Sequence, residues 1–120
     1  LVYGDECLVE ERLVGDEITV PYLVNRTLPT ILIKPASGTY DFAMKYTPGA
    51  TEEIVPAPID PAICAESQRL AEAAHVVLGC EGATRTDMIV TDRGPVILEV
   101  NTLPGMTGTS LLPTAAAAAG

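Results

Sequence analysis

The chain has 120 residues, 48% of them hydrophobic, with 16 acidic side chains against 7 basic ones and a formal charge of −9. That apolar share fills a core and excludes a disordered chain, and the length suits one domain rather than two. The acidic balance excludes nucleic acid and anionic membrane as partners, since both demand clustered Lys and Arg, and it leaves an anionic ligand in need of a metal or a few well-placed cations.

In chain order, "ECLVEERLVGDEITVPYLV" (6–24) reads as two strands around a Gly15-Asp16 turn. "TLPTILIKP" (27–35) reads as a third strand, with Pro29 and Pro35 near its margins, where proline does least harm to a ladder. The three predict an antiparallel meander. Residues 36–58 have no sustained period, and a loop of that length with aromatic and basic residues points to function. "DPAICAESQRLAEAAHVVLG" (60–79) predicts one long helix, with Asp60 at the N-cap, Pro61 at the first helical position and Gly79 at the stop. Ile63, Leu70, Ala74, Val77 and Leu78 fall on its apolar face. His75, beside that face, reads as a satisfied residue at the partial surface, where the helix end favours a cation.

Two strands follow at 82–90 and 95–101, joined around "TDRG", and a loop then leads to a short helix whose first turn holds Pro113. The expected fold class is α+β, an antiparallel sheet with one long helix. Cys7, Cys64 and Cys80 lack the spacing of a disulfide framework or a zinc cluster and read as buried free thiols of a reducing compartment. No apolar run approaches the ~20 residues of a membrane span, and no cleavable signal is visible. The chain starts at Leu1 inside strand-like sequence and stops after about two helical turns, so it reads as a piece of a longer protein.

The last two strands predict a pair of carboxylates. Arg85, Asp87 and Ile89 share one face of the first, and Ile97, Glu99 and Asn101 share one face of the second. A hairpin that sets Asp87 against Glu99 also sets Arg85 against Asn101 and Ile89 against Ile97. Opposed side chains have Cβ atoms ~4.5–5.5 Å apart, where like charges destabilise. Either water and salt screen the pair on a surface hairpin, or a divalent cation sits between the two. The second reading suits hard oxygen donors, with two carboxylates and one amide completed by water or phosphate. In the following "NTLPGMTGTS", Gly105 and Gly108 free backbone N–H groups, and Thr107, Thr109 and Ser110 offer hydroxyls to a small anion.

Taken together, "VEERLVGDEITV", "GTYDFAMKY", "LGCEGATRTDMIV" and "ILEVNTLPGMTGTSLLPTAAAAAG" closely resemble, in order and spacing, the C-terminal part of D-alanine–D-alanine ligases of the ATP-grasp superfamily. The resemblance covers residues 1–120 and implies the C-terminal ATP-grasp subdomain, with the family's N-terminal and central domains absent. It makes Asp87, Glu99 and Asn101 the ligands of Mg²⁺ (or Mn²⁺). Arg85 and the backbone N–H of Gly105 become the donors to a tetrahedral oxyanion. Lys45 would reach the ATP phosphates and the substrate, and Ser110 the carboxylate of the second D-alanine. The Glu10, Glu11, Arg12 and Leu13 hinge would hold adenine and Glu17 the ribose, while Tyr46 belongs to a mobile lid at 40–57.

The implied activity is ATP-dependent joining of two D-alanines through an acyl phosphate, for peptidoglycan precursors. It belongs to a cytoplasmic parent expected to be a homodimer; the fragment by itself is expected to be inactive. A D-alanine–D-lactate or D-alanine–D-serine ligase is the nearest rival, against which the Lys45-Tyr46 pair argues. A more distant ATP-grasp carboxylate–amine ligase would lack "GTYDFAMKY" and "NTLPGMT". A non-catalytic nucleotide-binding module is the rival from another class.

Overall fold

The computed structural model describes residues 6–35 and 51–120. Six strands, β1 (Asp16–Leu23), β2 (Arg26–Thr27), β3 (Ile31–Pro35), β4 (Thr51–Ile54), β5 (Ala83–Thr91) and β6 (Gly94–Asn101), form one antiparallel sheet. Its order is β4-β3-β1-β5-β6, with β2 pairing to β1. Two helices, α1 (Pro61–Val77) and α2 (Leu111–Ala119), complete the α+β fold that the sequence predicts.

The first strand pair departs from expectation. Residues 6–14 form no strand, and Gly15 is not a hairpin turn. Instead Gly15 lies flat on β5, where an added Cβ would stand 1.9 Å from the Val90 carbonyl oxygen. Alternation in 6–14 mimics a strand, but a strand needs a ladder partner, and β5 already takes the β1 edge from Asp16↔Val90 to Leu23↔Ala83. The tight turn falls later, at Val24 and Asn25, whose φ of 45° and 64° match the two-residue hairpin geometry that follows right-handed strand twist. The expected strand at 27–35 splits into Thr27 on β2 and Ile31–Pro35 on β3, and β3 pairs antiparallel with β1. Residues 51–54, assigned above to the irregular stretch and the lid, form β4 against β3, with Leu32 opposite Ile54. Four residues are too few to show a period; only the partner strand defines them. Of the expected lid, residues 40–50 with Lys45 and Tyr46 lie outside the described residues, while 55–57 continue from β4, with the Ala57 N–H on the Thr30 carbonyl at 2.8 Å.

Helix α1 begins and ends as predicted. The Asp60 carboxylate accepts the Ala62 N–H at 2.7 Å, and Pro61 takes the first helical position, where its missing N–H costs nothing. At the other end Gly79 turns to φ +64°, so that the Gly79 N–H reaches the Val76 carbonyl and the Cys80 N–H the His75 carbonyl, both at 3.0 Å. This paired closure is the one a left-handed glycine permits. The buried stripe differs from expectation, however: it runs Ser67, Ala71, His75, while Val77 and Leu78 are exposed. Small residues let the helix approach the sheet, and Ser67 satisfies itself by donating to the Ile63 carbonyl at 2.8 Å. His75 is buried rather than at the partial surface. Its Nδ1 lies 2.9 Å from the Thr84 hydroxyl and its ring packs on Tyr22 with centroids 4.1 Å apart.

Each helix covers a different face of the sheet. Under α1, Ile18, Val20, Leu32 and Met88 pack with Ala71, flanked by Ile97 and Val90. Burying each large side chain contributes roughly 1.5–3 kcal/mol. Residues of the other parity, Leu23, Ile31 and Ala83, meet Leu112 and Ala115 of α2 together with Leu28. The three cysteines are free, and contrary to expectation Cys7 is exposed, because segment 6–14 lies outside the sheet. Among the described residues no helix is long and apolar enough to cross a membrane.

Candidate functional site

Strand pairing decides which side chains share the face left open beside α2. In the ladder, Thr19 of β1 lies opposite Asp87 of β5, and Asp87 lies opposite Glu99 of β6. The next row holds Pro21, Arg85 and Asn101. Asp87 and Glu99 therefore oppose each other as the sequence predicts, and so do Arg85 and Asn101.

The third predicted pair is corrected. A register shift between Asp87 and Met88 sets Met88, not Ile89, against Ile97, and Ile89 against Val96. Leu98 is the residue passed over, and it stands half exposed at 51%. Such a bulge changes the facing of everything beyond it. Ile97 therefore turns into the α1 core beside Met88 instead of sharing a face with Glu99. Unbroken alternation through "VILEVN" hides the bulge, since no glycine marks it.

The carboxylate of Asp87 is held from two directions. Arg85 donates from Nε to Oδ1 and from Nη2 to Oδ2, both at 2.9 Å, a two-point fork between partly buried side chains. The Thr19 hydroxyl donates to the same Oδ1 at 2.6 Å. The Asp87 hydrogen bond is the main cause that holds the Arg85 guanidinium above its ordinary value; burial works against it, and the charges of Asp87, Glu99 and Glu17 add to it. Opposed carboxylates here are offset by one arginine, which uses two of its five N–H groups and keeps three for other acceptors. Asn101 accepts the Leu103 N–H on Oδ1 at 3.0 Å, which turns the chain out of β6 and still leaves that oxygen a second acceptor position.

Around the pair opens a cavity of about 430 Å³, lined by Glu10, Glu11, Leu13, Glu17, Asp87 and the bulged segment Val96–Glu99. The expected hinge thus contributes three of its four residues here. Arg12 instead faces a neighbouring hollow with Val14, Asp92 and Arg93, where Arg93 also reaches Glu11 at 3.3 Å. Two carboxylates and an amide oxygen are hard donors and fit a divalent cation. Among the described residues no three His, Cys, Asp or Glu side chains converge, so the amide is needed to make a third protein ligand.

Gly105 and Ser110 come together in the loop ahead of α2. A Cβ at Gly105 would lie 2.8 Å from the Ser110 Oγ, so a larger residue here would displace that hydroxyl. Ser110 is the N-cap of α2 but does not cap it through its side chain. Its Oγ accepts the Thr107 N–H at 3.1 Å and lies 2.8 Å from the Thr107 hydroxyl. Among the described residues the Leu111 and Leu112 amides are therefore left for an outside acceptor, an arrangement suited to a carboxylate. Thr19 is the site residue that sequence reasoning missed. Its signal is only a hydroxyl in an apolar strand, and the β1–β5 pairing that aims it at Asp87 is not local.

The profile of the family described as "D-ala D-ala ligase C-terminus" matches residues 1–120. A D-alanine--D-alanine ligase of Syntrophotalea carbinolica is 48% identical over 118 residues, covering 98% of this chain and 39% of that protein. The chain thus spans about two fifths of the length of such relatives. A crystal structure of D-alanine--D-alanine ligase from Bacillus anthracis complexed with ATP superposes with a TM-score of 0.77 at 34% identity, over 92% of this chain and 34% of that one. The VanG D-Ala:D-Ser ligase of Enterococcus faecalis superposes with a TM-score of 0.69 at 32% identity, over 88% of this chain and 32% of that one.

Proposed function

This chain belongs to the D-ala D-ala ligase C-terminus family, and from that premise we propose that it is the nucleotide- and metal-holding part of an ATP-dependent ligase joining two D-alanines. The observation that carries the reading is Asp87 set directly against Glu99, with Arg85 in the adjoining row and the Glu10–Leu13 segment closing the cavity. In this reading Asp87, Glu99 and Asn101 hold Mg²⁺ or Mn²⁺, which would neutralise phosphate charge. The hinge backbone holds adenine and Glu17 the ribose hydroxyls. ATP phosphorylates the first D-alanine carboxylate, and the amine of the second attacks the acyl phosphate. Arg85, through the N–H groups that Asp87 does not use, and the Gly105 N–H then receive the developing oxyanion. Preorganised donors of this kind are worth ~3–4 kcal/mol each. Ser110 and the α2 amides receive the carboxylate of the second substrate. Lys45 and Tyr46 complete the site from a lid that excludes water, so that an amine rather than water attacks. A cytoplasmic homodimer belongs to the same reading and rests on the family resemblance.

The D-serine ligase likeness makes fold a poor judge of the second substrate; the Lys45-Tyr46 pair is what favours D-alanine. The test is the full-length protein assayed with Mg-ATP and D-alanine, D-serine or D-lactate. D-alanyl-D-alanine formed in step with ADP and phosphate is expected. Phosphate release without that dipeptide, or a D-serine or D-lactate product in preference, would overturn the substrate assignment.

A further inference from the structure

We propose that Thr19 is a positioning residue of the cation site: its hydroxyl selects which oxygen of Asp87 is left to the metal. This rests on the cation reading above, and adds to it a residue that contributes no ligand of its own. Thr19 is fully buried on β1, directly opposite Asp87, and reaches Oδ1 at 2.6 Å. Its other neighbour, the Thr86 carbonyl, is 3.3 Å away. A hydroxyl has a single hydrogen, and the shorter, charge-assisted bond to the carboxylate takes it.

Among the described residues, Asp87 Oδ1 thus accepts from both Thr19 and the Arg85 Nε, whereas Oδ2 accepts from the Arg85 Nη2 alone. Two donors fill the acceptor positions of Oδ1, and Oδ2 keeps one. Arginine by itself cannot make this distinction, because its fork treats the two oxygens alike at 2.9 Å. Thr19 breaks the tie and, from the β1 side, holds the carboxylate against rotation toward or away from Glu99. Partners that orient ligating groups in this way typically change metal affinity ~10–100-fold when removed.

The test compares Thr19→Ser with Thr19→Ala in the full-length protein. Both lose the γ-methyl, and only the second loses the hydroxyl. Mn²⁺ is titrated with ADP present and read by water-proton relaxation, with thermal midpoints measured alongside. Thr19→Ser is expected to bind Mn²⁺ like the unaltered protein, and Thr19→Ala about 10–100-fold more weakly. Equal affinities for the two variants would overturn the role of Thr19 while leaving the cation site standing. Mn²⁺ binding that survives Asp87→Asn combined with Glu99→Gln would overturn the cation site itself, and Thr19 with it. Should Thr19→Ala not fold, Thr19→Val, which keeps the volume, takes its place under the same criteria.

Discussion

Thr19 and Thr86 lie one ladder step apart on neighbouring strands, are both fully buried, and live on opposite faces of the same sheet. On the open face the Thr19 hydroxyl is bound to a carboxylate. On the α1 face the Thr86 Oγ1, opposite Val20 of the apolar cluster, finds no partner among the described residues. On the α1 face Thr84 finds His75 while Thr86 is left without a side-chain partner; on the other face, beside the α2 cluster, Thr19, Arg85 and Asp87 engage one another. The alternation of β5 puts Thr84, Thr86 and Met88 in the first and Arg85 and Asp87 in the second. Stability and chemistry are thereby separated by the thickness of one strand, and the separation can be tested.

The largest effect is expected from Met88→Ala. Truncating a wholly buried Met under α1 costs about 2–5 kcal/mol, measured by denaturant unfolding, with Mn²⁺ affinity of the molecules still folded left near its starting value. Arg85→Met should do the reverse. On the proposed function, turnover of the full-length protein with ATP and D-alanine falls about 10²–10³-fold, the range for a lost oxyanion donor, while the unfolding midpoint moves less than in Met88→Ala. A fall of both quantities together in either variant would dissolve the distinction between the faces. The raised Arg85 value adds no pH signature to this result. A base whose folded value is raised contributes its stability at every pH below the unfolded value, and loses it only above the folded one, beyond the working range. The smallest effect is a gain. Thr86→Val removes an unpartnered hydroxyl at constant shape and should raise stability by about 1 kcal/mol, visible as a higher thermal midpoint with unchanged turnover.

Much of this was legible beforehand, for identifiable reasons. The α1 boundaries were readable because Asp60, Pro61 and Gly79 act within a turn of themselves. The Asp87–Glu99 and Arg85–Asn101 pairings were readable from the shared parity of side chains along one hairpin, although the register set at the "TDRG" turn is shifted by one residue before it reaches them. The same reasoning failed at Ile97, since a bulge is decided by what packs on each face, and the α1 core takes Ile97 beside Met88. It failed at residues 6–14, where alternating side chains had no strand to pair with, and at His75, which is buried by Tyr22 and Thr84 rather than by its own helix.

From its sequence alone this protein determined whatever depends on neighbours along the chain: helix caps, the glycine stop, and carboxylates opposed across one hairpin. Only the tertiary structure decided that β1 lies between β3 and β5, which brings a distant Thr19 to Asp87 and lays Gly15 on Val90. The reason is range. Caps and turns are settled by bonds a few residues long, whereas a hydroxyl meets a carboxylate 68 residues away only after the sheet has closed.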